Sequence, residues 1–243
     1  MKHWISCLVG FTAMLLTVAS NIPAQEATSR APAETRGRGR GGPPLAVQAA
    51  PFETATLPKG DAEKRILDSL NEIDQTQGRM MNVPVQDGRL LRLLAETIQA
   101  RTVVEIGTSN GVSALWLSMA LQKTGGKLIT HEIDRQRAAL ARKNFATAGV
   151  AHIVTVVEGD AHETITRLEG PVDMVFIDAE KEGYLDYLKK VLPLVRPGGL
   201  VLAHNMTARA ARGDFAKEIT SNPELETILY MQGRGMSVSL KKM

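Results

Sequence analysis

Apolar residues follow two different spacings along this chain, and each spacing predicts a different kind of element. Over residues 61–73 and 85–99 they recur every three or four positions, which predicts two amphipathic helices. From residue 102 onward, short and almost continuous apolar runs alternate with helical patterns. These runs predict five strands, at residues 102–106, 127–132, 152–157, 172–178 and 199–204. A last helix is predicted at residues 208–220.

The C-terminal segment has another pattern. Residues 225–231 and 236–241 are typical of two strands joined by a turn at Gly233-Arg234-Gly235, which predicts an antiparallel hairpin. The alternating units before it predict a mostly parallel sheet covered by helices on both faces. We therefore predict an α/β fold with a Rossmann-like, doubly wound, mostly parallel sheet and an antiparallel C-terminal strand. Ligands of such sheets bind at the carboxyl ends of the strands.

The N-terminal residues predict a secretory signal peptide. A short basic start, Met1-Lys2-His3, precedes an apolar stretch at residues 5–18 and small residues at 19–24. The apolar stretch is shorter than the ~20 residues of a membrane span, so no stable span is expected. If the leader (residues 1–24) is cleaved, the protein is exported to the periplasm or the medium, and otherwise it is cytoplasmic. Cys7, the only cysteine, would leave with the leader.

Residues 25–60 are rich in Ala, Pro, Gly and Arg, and they predict a disordered linker before a folded domain at 61–243. The leader carries one lysine and no acid, and the linker carries five Lys or Arg and three acids. The formal net charge of +3 therefore lies in the first 60 residues, and the folded domain is neutral. Its charge gives no reason to expect a nucleic-acid partner.

The most informative motif is the turn between the first predicted strand and its helix. Residues 103–111 read Val-Val-Glu-Ile-Gly-Thr-Ser-Asn-Gly. A strand, a glycine turn and a helix N-terminus place backbone N–H groups at one point, which suits a polar ligand. A dinucleotide-binding loop needs a glycine where Ser109 stands, so the spacing argues against an NAD-dependent oxidoreductase. With Glu105 two residues before Gly107, the turn resembles the S-adenosylmethionine loop of class I methyltransferases.

Polar residues also stand at the ends of the later strands. Glu132 ends the second strand, where an acid can accept hydrogen bonds from both hydroxyls of a ribose, and Ile133 could pack on the adenine. Asp160 follows the third strand, either near the adenine or as the cap of the next helix. Asp178 and His204-Asn205 follow the fourth and fifth strands, so all of these side chains are expected at one rim of the sheet.

Two further stretches carry a family resemblance. Residues 173–184 read Asp-Met-Val-Phe-Ile-Asp-Ala-Glu-Lys-Glu-Gly-Tyr, and residues 194–205 read Leu-Val-Arg-Pro-Gly-Gly-Leu-Val-Leu-Ala-His-Asn. With the glycine loop, they resemble the cation-dependent O-methyltransferases, the group of catechol and caffeoyl-CoA O-methyltransferases and their bacterial relatives. The resemblance implies the class I methyltransferase fold, S-adenosylmethionine as cofactor, and a small hydroxylated, catechol-like acceptor. We also expect a homodimer.

The resemblance implies roles for individual residues. On the cofactor side, Val83 would border the ligand, Glu105 and Gly107 would shape the turn, Ser113 would bind the methionine carboxylate, and Glu132 would hold the ribose. On the acceptor side, Lys181 would be the base that removes the hydroxyl proton. Asp178 would approach the cofactor amino group and, with His204 and Asn205, ligate a divalent cation.

His204 departs from the family pattern, which usually has an aspartate there. Magnesium prefers oxygen ligands, whereas imidazole favours transition ions or no metal at all. The residues thus leave open a magnesium enzyme, a transition-metal enzyme and a metal-independent methyltransferase on another small molecule. An exported, non-catalytic protein of this fold is a further alternative. We expect Trp116 to pack against the sheet, and Tyr184 and Tyr187 to be either an aromatic substrate wall or core.

Overall fold

A computed structural model describes residues 54–78, 80, 82–207, 210 and 213–243. Residues 55–243 form one compact unit. The predicted signal peptide and most of the predicted linker lie outside the described residues. Within those residues, no helix combines the length and apolar character that crossing a bilayer requires.

The centre of the domain is a seven-stranded sheet in the order β3-β2-β1-β4-β5-β7-β6. Strands β1 to β5 pair in parallel, and β7 pairs antiparallel with both β5 and β6. The predicted fold class is confirmed, including the antiparallel C-terminal finish. The strands are β1 Thr102–Ile106, β2 Lys127–Glu132, β3 Val154–Glu158, β4 Val172–Ile177, β5 Val195–His204, β6 Leu225–Tyr230 and β7 Met236–Lys241.

Helices cover both faces of the sheet, so alternate residues of one strand enter different cores. Val103 of β1 packs with residues from the first four helices, and Val104 packs with residues from the last two. Both are completely buried, which explains the continuous apolar runs in the sequence. The helices are α1 Asp61–Thr76, α2 Val85–Thr97, α3 Val112–Thr124, α4 Arg135–Thr147, α5 Ala161–Thr164, α6 Tyr184–Val191 and α7 Asp214–Ser221.

Several predicted element boundaries differ from the structure. Strand β5 begins at Val195, not at 199, because Val195 pairs with Val172 before a register irregularity at the glycines. Helix α7 begins at Asp214, and most of the predicted helix before it lies outside the described residues. Trp116 belongs to a core cluster that contains residues of the sheet, and it also packs against helix α2, where a Cβ added at Gly88 would lie 2.3 Å from the indole ring.

Candidate active site

A cavity of about 670 Å³ opens at the carboxyl ends of the parallel strands. This volume lies in the range of small-molecule and cofactor sites. Every strand from β1 to β5 contributes through the residues that follow it. Of the residues singled out from the sequence, those that line the cavity are Val83, Gly107, Ser113, Glu132, Asp160, Asp178 and Asn205. Glu105 and His204 are completely buried, and Lys181 is not part of the lining.

The turn after β1 brings backbone close to backbone. The amides of Gly107 and Thr108 donate to the carbonyl of His131, at 3.0 and 3.2 Å. Gly107 has φ +98°, and a Cβ added there would lie 2.3 Å from the carbonyl oxygen of Asp178. Only glycine fits such a conformation and such an approach. Gly107 therefore holds the ends of β1, β2 and β4 together at the floor of the cavity.

Glu132 faces this turn from the end of β2. Its carboxylate accepts a hydrogen bond from the Ser109 amide at 2.7 Å and one from the Asp134 amide at 2.9 Å. Each oxygen has one backbone donor and retains a further lone-pair site. The backbone thus fixes the carboxylate at the cavity wall, where it can accept hydrogen bonds from a ligand.

Glu105 lies beneath the turn and is completely buried. It accepts a hydrogen bond from the Thr130 hydroxyl at 2.5 Å, and its other oxygen has no partner among the described residues. Burial raises the pKa of this carboxyl to about 7, against the effect of the nearby hydroxyl groups of Ser113 and Thr130. The negative charges of Asp178 and Glu132 raise it further.

The other side of the cavity follows β3. Asp160 caps α5, since its carboxylate accepts from the His162 amide at 2.8 Å, and it also lines the cavity. The two expectations for Asp160 are therefore compatible. Ile133 lines the cavity as well and is largely exposed at its edge.

The two tyrosines differ from each other. Tyr187 is almost completely buried, yet it reaches the cavity lining and stacks on His162 with ring centroids 4.5 Å apart. Its hydroxyl donates to Glu180. Tyr184 belongs to the core and packs edge-on against Phe215. Within the described part of the chain, neither tyrosine forms an exposed aromatic wall.

At the rim after β4 and β5, polar side chains form a chain of contacts. The His204 Nδ1 atom lies 3.1 Å from one Asp178 oxygen, and its Nε2 atom lies 2.8 Å from Asp87. The Asn205 amide nitrogen donates to the other Asp178 oxygen at 3.1 Å. Burial opposes protonation of His204, but the hydrogen bonds to Asp178 and Asp87 outweigh it and raise its pKa above the usual value.

Sequence reasoning missed Asp87. It stands in the first turn of α2, 117 residues before His204 in the chain, and both side chains are completely buried. One signal was available, because Asp87 lies four and seven positions before Leu91 and Leu94 on the apolar stripe. An acidic side chain on a buried helix face needs a hydrogen-bond or ion-pair partner elsewhere in the fold.

Lys181 follows β4 and contacts this rim at the backbone of His204. Its amine donates to the carbonyl of His204 at 2.7 Å and to the hydroxyl of Tyr184. Burial of the amine lowers the pKa of Lys181 to about 8, although the charges of Asp178 and Glu182 act in the opposite direction. A lysine with such a pKa is partly neutral near physiological pH and can accept a proton.

Comparison with known proteins places this arrangement in a family. A profile described as O-methyltransferase matches residues 59–238, which is most of the chain. The chain belongs to this O-methyltransferase family. The match agrees with the resemblance read from the three motifs.

Individual relatives agree with the profile. A catechol O-methyltransferase of Niastella koreensis is 37% identical over 151 residues, which cover 60% of this chain and 68% of the relative. A catechol O-methyltransferase of Mycobacterium tuberculosis is 42% identical over 125 residues, which cover 51% of this chain and 56% of the relative.

A solved structure supports the cofactor. The O-methyltransferase of Streptomyces achromogenes involved in tomaymycin synthesis, in complex with SAM, aligns with a TM-score of 0.64 at 29% identity. The alignment covers 76% of this chain and 92% of that one. The chain is thus a class I S-adenosylmethionine-dependent O-methyltransferase by family and by fold.

The cavity fits this cofactor chemically. S-adenosylmethionine carries a sulfonium and an ammonium group, and Glu105, Glu132 and Asp178 place three carboxyl groups around the turn. The buried Glu105 oxygen without a partner marks a place where a hydrogen-bond donor is missing. The N-terminus of α3 adds free backbone N–H groups, which suit the methionine carboxylate.

The rim fits a metal ion less well. Among the described residues, no group of three or more His, Cys, Asp or Glu side chains is arranged to hold one. His204 and Asn205 both direct nitrogen atoms at the oxygens of Asp178, where ligands would direct lone pairs at a cation. The predicted metal set of Asp178, His204 and Asn205 stays a prediction from the resemblance, and this geometry argues against it.

Proposed function

We propose that this enzyme transfers the methyl group of S-adenosylmethionine to a hydroxyl of a small, catechol-like aromatic acceptor. The observation that carries the proposal is that the cofactor turn contacts Asp178, whereas the Lys181 amine contacts His204, the neighbour of Asp178. Gly107 touches the Asp178 backbone from the cofactor side. Lys181 lies three residues after Asp178, next to the His204 carbonyl. Relatives named catechol O-methyltransferase support the acceptor class.

Four of the seven predicted cofactor residues contact the ligand directly in this proposal. Glu132 accepts hydrogen bonds from the ribose hydroxyls through the lone pairs that its two amide donors leave free. Ser113 and the α3 N-terminus bind the carboxylate, and Val83 borders the ligand. Asp160 closes the cavity at the adenine side. When bound, S-adenosylmethionine supplies an electrophilic methyl group on a positively charged sulfur.

On the acceptor side, we assign the base to Lys181. Its neutral amine takes the proton of the acceptor hydroxyl, which makes the oxygen nucleophilic toward the methyl carbon that S-adenosylmethionine would present, with S-adenosylhomocysteine as the leaving group. The lowered pKa of Lys181 makes the neutral form accessible near pH 8. Asp178 keeps the turn and the rim at a fixed separation, because its amide also donates to the Ile106 carbonyl at 2.8 Å. The expected homodimer is a separate proposal that the acceptor chemistry does not require.

A two-part experiment tests this proposal. Calorimetry on the full chain should give one S-adenosylmethionine site, with or without chelator. Incubation with catechol and S-adenosylmethionine labelled in its methyl group should transfer the label to the catechol, as read by mass spectrometry. Cofactor binding without label transfer to any hydroxylated acceptor in a panel would support the non-catalytic alternative. Absence of cofactor binding would contradict the proposed function itself.

A further inference from the structure

The strongest unexplained feature outside the cofactor cavity is the buried carboxylate of Asp87. Its side chain is completely enclosed. One oxygen faces His204 Nε2 at 2.8 Å and the Arg234 amide at 3.1 Å, and the other has no partner among the described residues. A Cβ added at Gly233 would lie 2.0 Å from this second oxygen. The turn between β6 and β7 therefore seals Asp87 from water.

A buried carboxylate without a cation nearby is strongly unfavourable. Asp87 receives part of the compensation from the N-terminus of α2, because it stands in the first helical turn. Among the described side chains, His204 is the one that forms a salt bridge with it. Among these described side chains, a proton on His204 would therefore balance a negative charge on Asp87.

The other nitrogen of His204 leads to the same conclusion. A neutral imidazole has one N–H donor and one lone pair. Both ring nitrogens of His204 lie within 3.1 Å of a carboxylate oxygen, Asp87 on one side and Asp178 on the other. A neutral ring would therefore place a lone pair against a carboxylate lone pair, whereas an imidazolium donates on both sides.

Asp178 has no oxygen left for a cation on this side. One oxygen faces His204, and the other accepts from the Asn205 amide nitrogen. The remaining access to Asp178 is from the cavity, where its side chain is 15% exposed. A metal ion at this rim would have to displace both hydrogen bonds and to leave His204 neutral beside the buried Asp87.

We propose that the rim of Asp178, His204 and Asn205 holds no divalent cation in this chain, because the His204 ring occupies the place of the ion between Asp87 and Asp178, and that methyl transfer here needs no metal ion. The inference rests on the proposed function for the reaction that it concerns. In this arrangement His204 and Asp87 are positioning residues. They hold the Asp178 carboxylate toward the cofactor side, and Asp87 fixes the imidazolium through its second nitrogen.

Without a metal ion, the acceptor needs only one hydroxyl group at the site. A divalent ion can chelate both oxygens of a vicinal diol and so favours catechols. The imidazolium of His204 is completely buried and cannot contact an acceptor. Proton removal then depends on Lys181 alone. This step requires only one hydroxyl group on the acceptor. An acceptor with a single phenolic hydroxyl should therefore react at a rate within about tenfold of catechol, because no chelated pair of oxygens is lost.

Manganese titration tests the proposal on the unmodified enzyme. Electron paramagnetic resonance of Mn²⁺ added to the full chain should show only free ion at sub-millimolar concentrations, with and without S-adenosylmethionine. Treatment with a strong chelator should leave the methyl-transfer rate within about twofold, since no ion contributes. One Mn²⁺ or Zn²⁺ bound per chain and lost in Asp178→Asn, or inactivation by chelator that an ion reverses, would overturn the proposal. The Mn²⁺ titration needs no turnover, so it remains informative if the proposed function fails.

The protonation of His204 can be observed directly. Nitrogen-15 NMR of histidine-labelled protein, metal-free and at neutral pH, should show two protonated ring nitrogens for the signal that disappears in His204→Gln. The chain contains five histidines, which makes this assignment practical. A single protonated nitrogen at His204, with Zn²⁺ perturbing the other one, would contradict the imidazolium.

A gain-of-function variant provides an independent test. His204→Asp replaces the cation by an oxygen ligand beside Asp178 and Asp87, and it should create a Mn²⁺ site. Mn²⁺ should then raise the melting temperature of this variant and not that of the wild type. His152→Asp, the same exchange at an exposed position, is the matched control and should bind no ion. If His204→Asp does not fold even with Mn²⁺, the titration and NMR of the wild type still decide.

Discussion

The two ends of the active-site cavity treat their carboxylates differently. At the loop end, Glu105 and Glu132 accept hydrogen bonds from hydroxyl and amide groups, and neither forms a salt bridge among the described residues. At the rim, Asp178 and Asp87 bracket the His204 ring, and Lys181 stands next to it. The carboxylates of the loop end thus remain available to a cationic ligand, whereas those of the rim are paired with His204. Substitutions at the loop end should therefore affect cofactor binding, and substitutions at the rim should affect the methyl-transfer step.

The largest effect is expected at the rim, from removal of the base. Lys181→Met should lower kcat by about 10²- to 10⁴-fold, the usual contribution of a general base, with a much smaller change in cofactor affinity. Steady-state kinetics together with calorimetry would measure the two effects separately. The exposed Lys189→Met on α6 is the matched control and should retain full activity. An equal loss of cofactor affinity in Lys181→Met would remove the distinction between the two ends.

The wild-type pH profile belongs to the same test. Because the folded-state pKa of Lys181 is lowered to about 8, the neutral amine is lost as the pH falls below that value. The kcat should therefore decrease about tenfold per pH unit below about pH 8 and level off above it. A profile that is flat from pH 6 to pH 9 would exclude Lys181 as the base.

A smaller effect, on binding, is expected at the loop end. Glu132→Ala should weaken S-adenosylmethionine binding by about 1.5–3 kcal/mol, the loss of hydrogen bonds to a charged acceptor. Calorimetry measures this directly. Glu158 pairs with Glu132 in the strand register but points to solvent, where it forms an ion pair with Arg142, so Glu158→Ala should bind the cofactor normally. Equal affinities for the two variants would disprove the ribose assignment.

An effect of similar size, on stability, is expected where the two ends meet. Gly107→Ala places a Cβ against the Asp178 carbonyl at a positive φ, and it should lower the free energy of unfolding by about 2–3 kcal/mol. Gly125→Ala also has a positive φ, but it has open space around it and should lose only about 1 kcal/mol. Chemical denaturation measures both. Similar losses would show that the backbone conformation, and not the close approach, makes Gly107 necessary.

The positions of the residues at the loop end could be predicted from the sequence, because each of them stands at the end of a strand that is recognisable from its own apolar run. Glu105, Gly107 and Glu132 stand at strand ends that apolar runs mark, and parallel strands bring their carboxyl ends to one edge. In the structure, Gly107 and Glu132 line one cavity, and Glu105 lies buried beneath the turn. Asp160 could not be assigned to one role from sequence, because capping α5 and lining the cavity use the same strand-end position.

The rim could be predicted only in part. The strand ends indicated Asp178, His204 and Asn205, but the partner that determines the state of His204 lies on a distant helix. In the sequence, Asp87 looks like an ordinary acid in a first helical turn, which is favourable by itself. Only the packing of α2 beneath the rim, with the Gly233 turn over it, makes it a buried charge.

The long sequence separation of Asp87 and His204 has a consequence for how the chain folds. The contacts of the loop end join residues 23 and 25 positions apart, whereas Asp87 and His204 are 117 apart. In an otherwise unfolded chain, the longer closure costs about 1.4 kcal/mol more entropy. We therefore expect the loop end to form before the folding transition state and the rim after it. Substitutions at the loop end should slow folding, and substitutions at the rim should mainly speed unfolding.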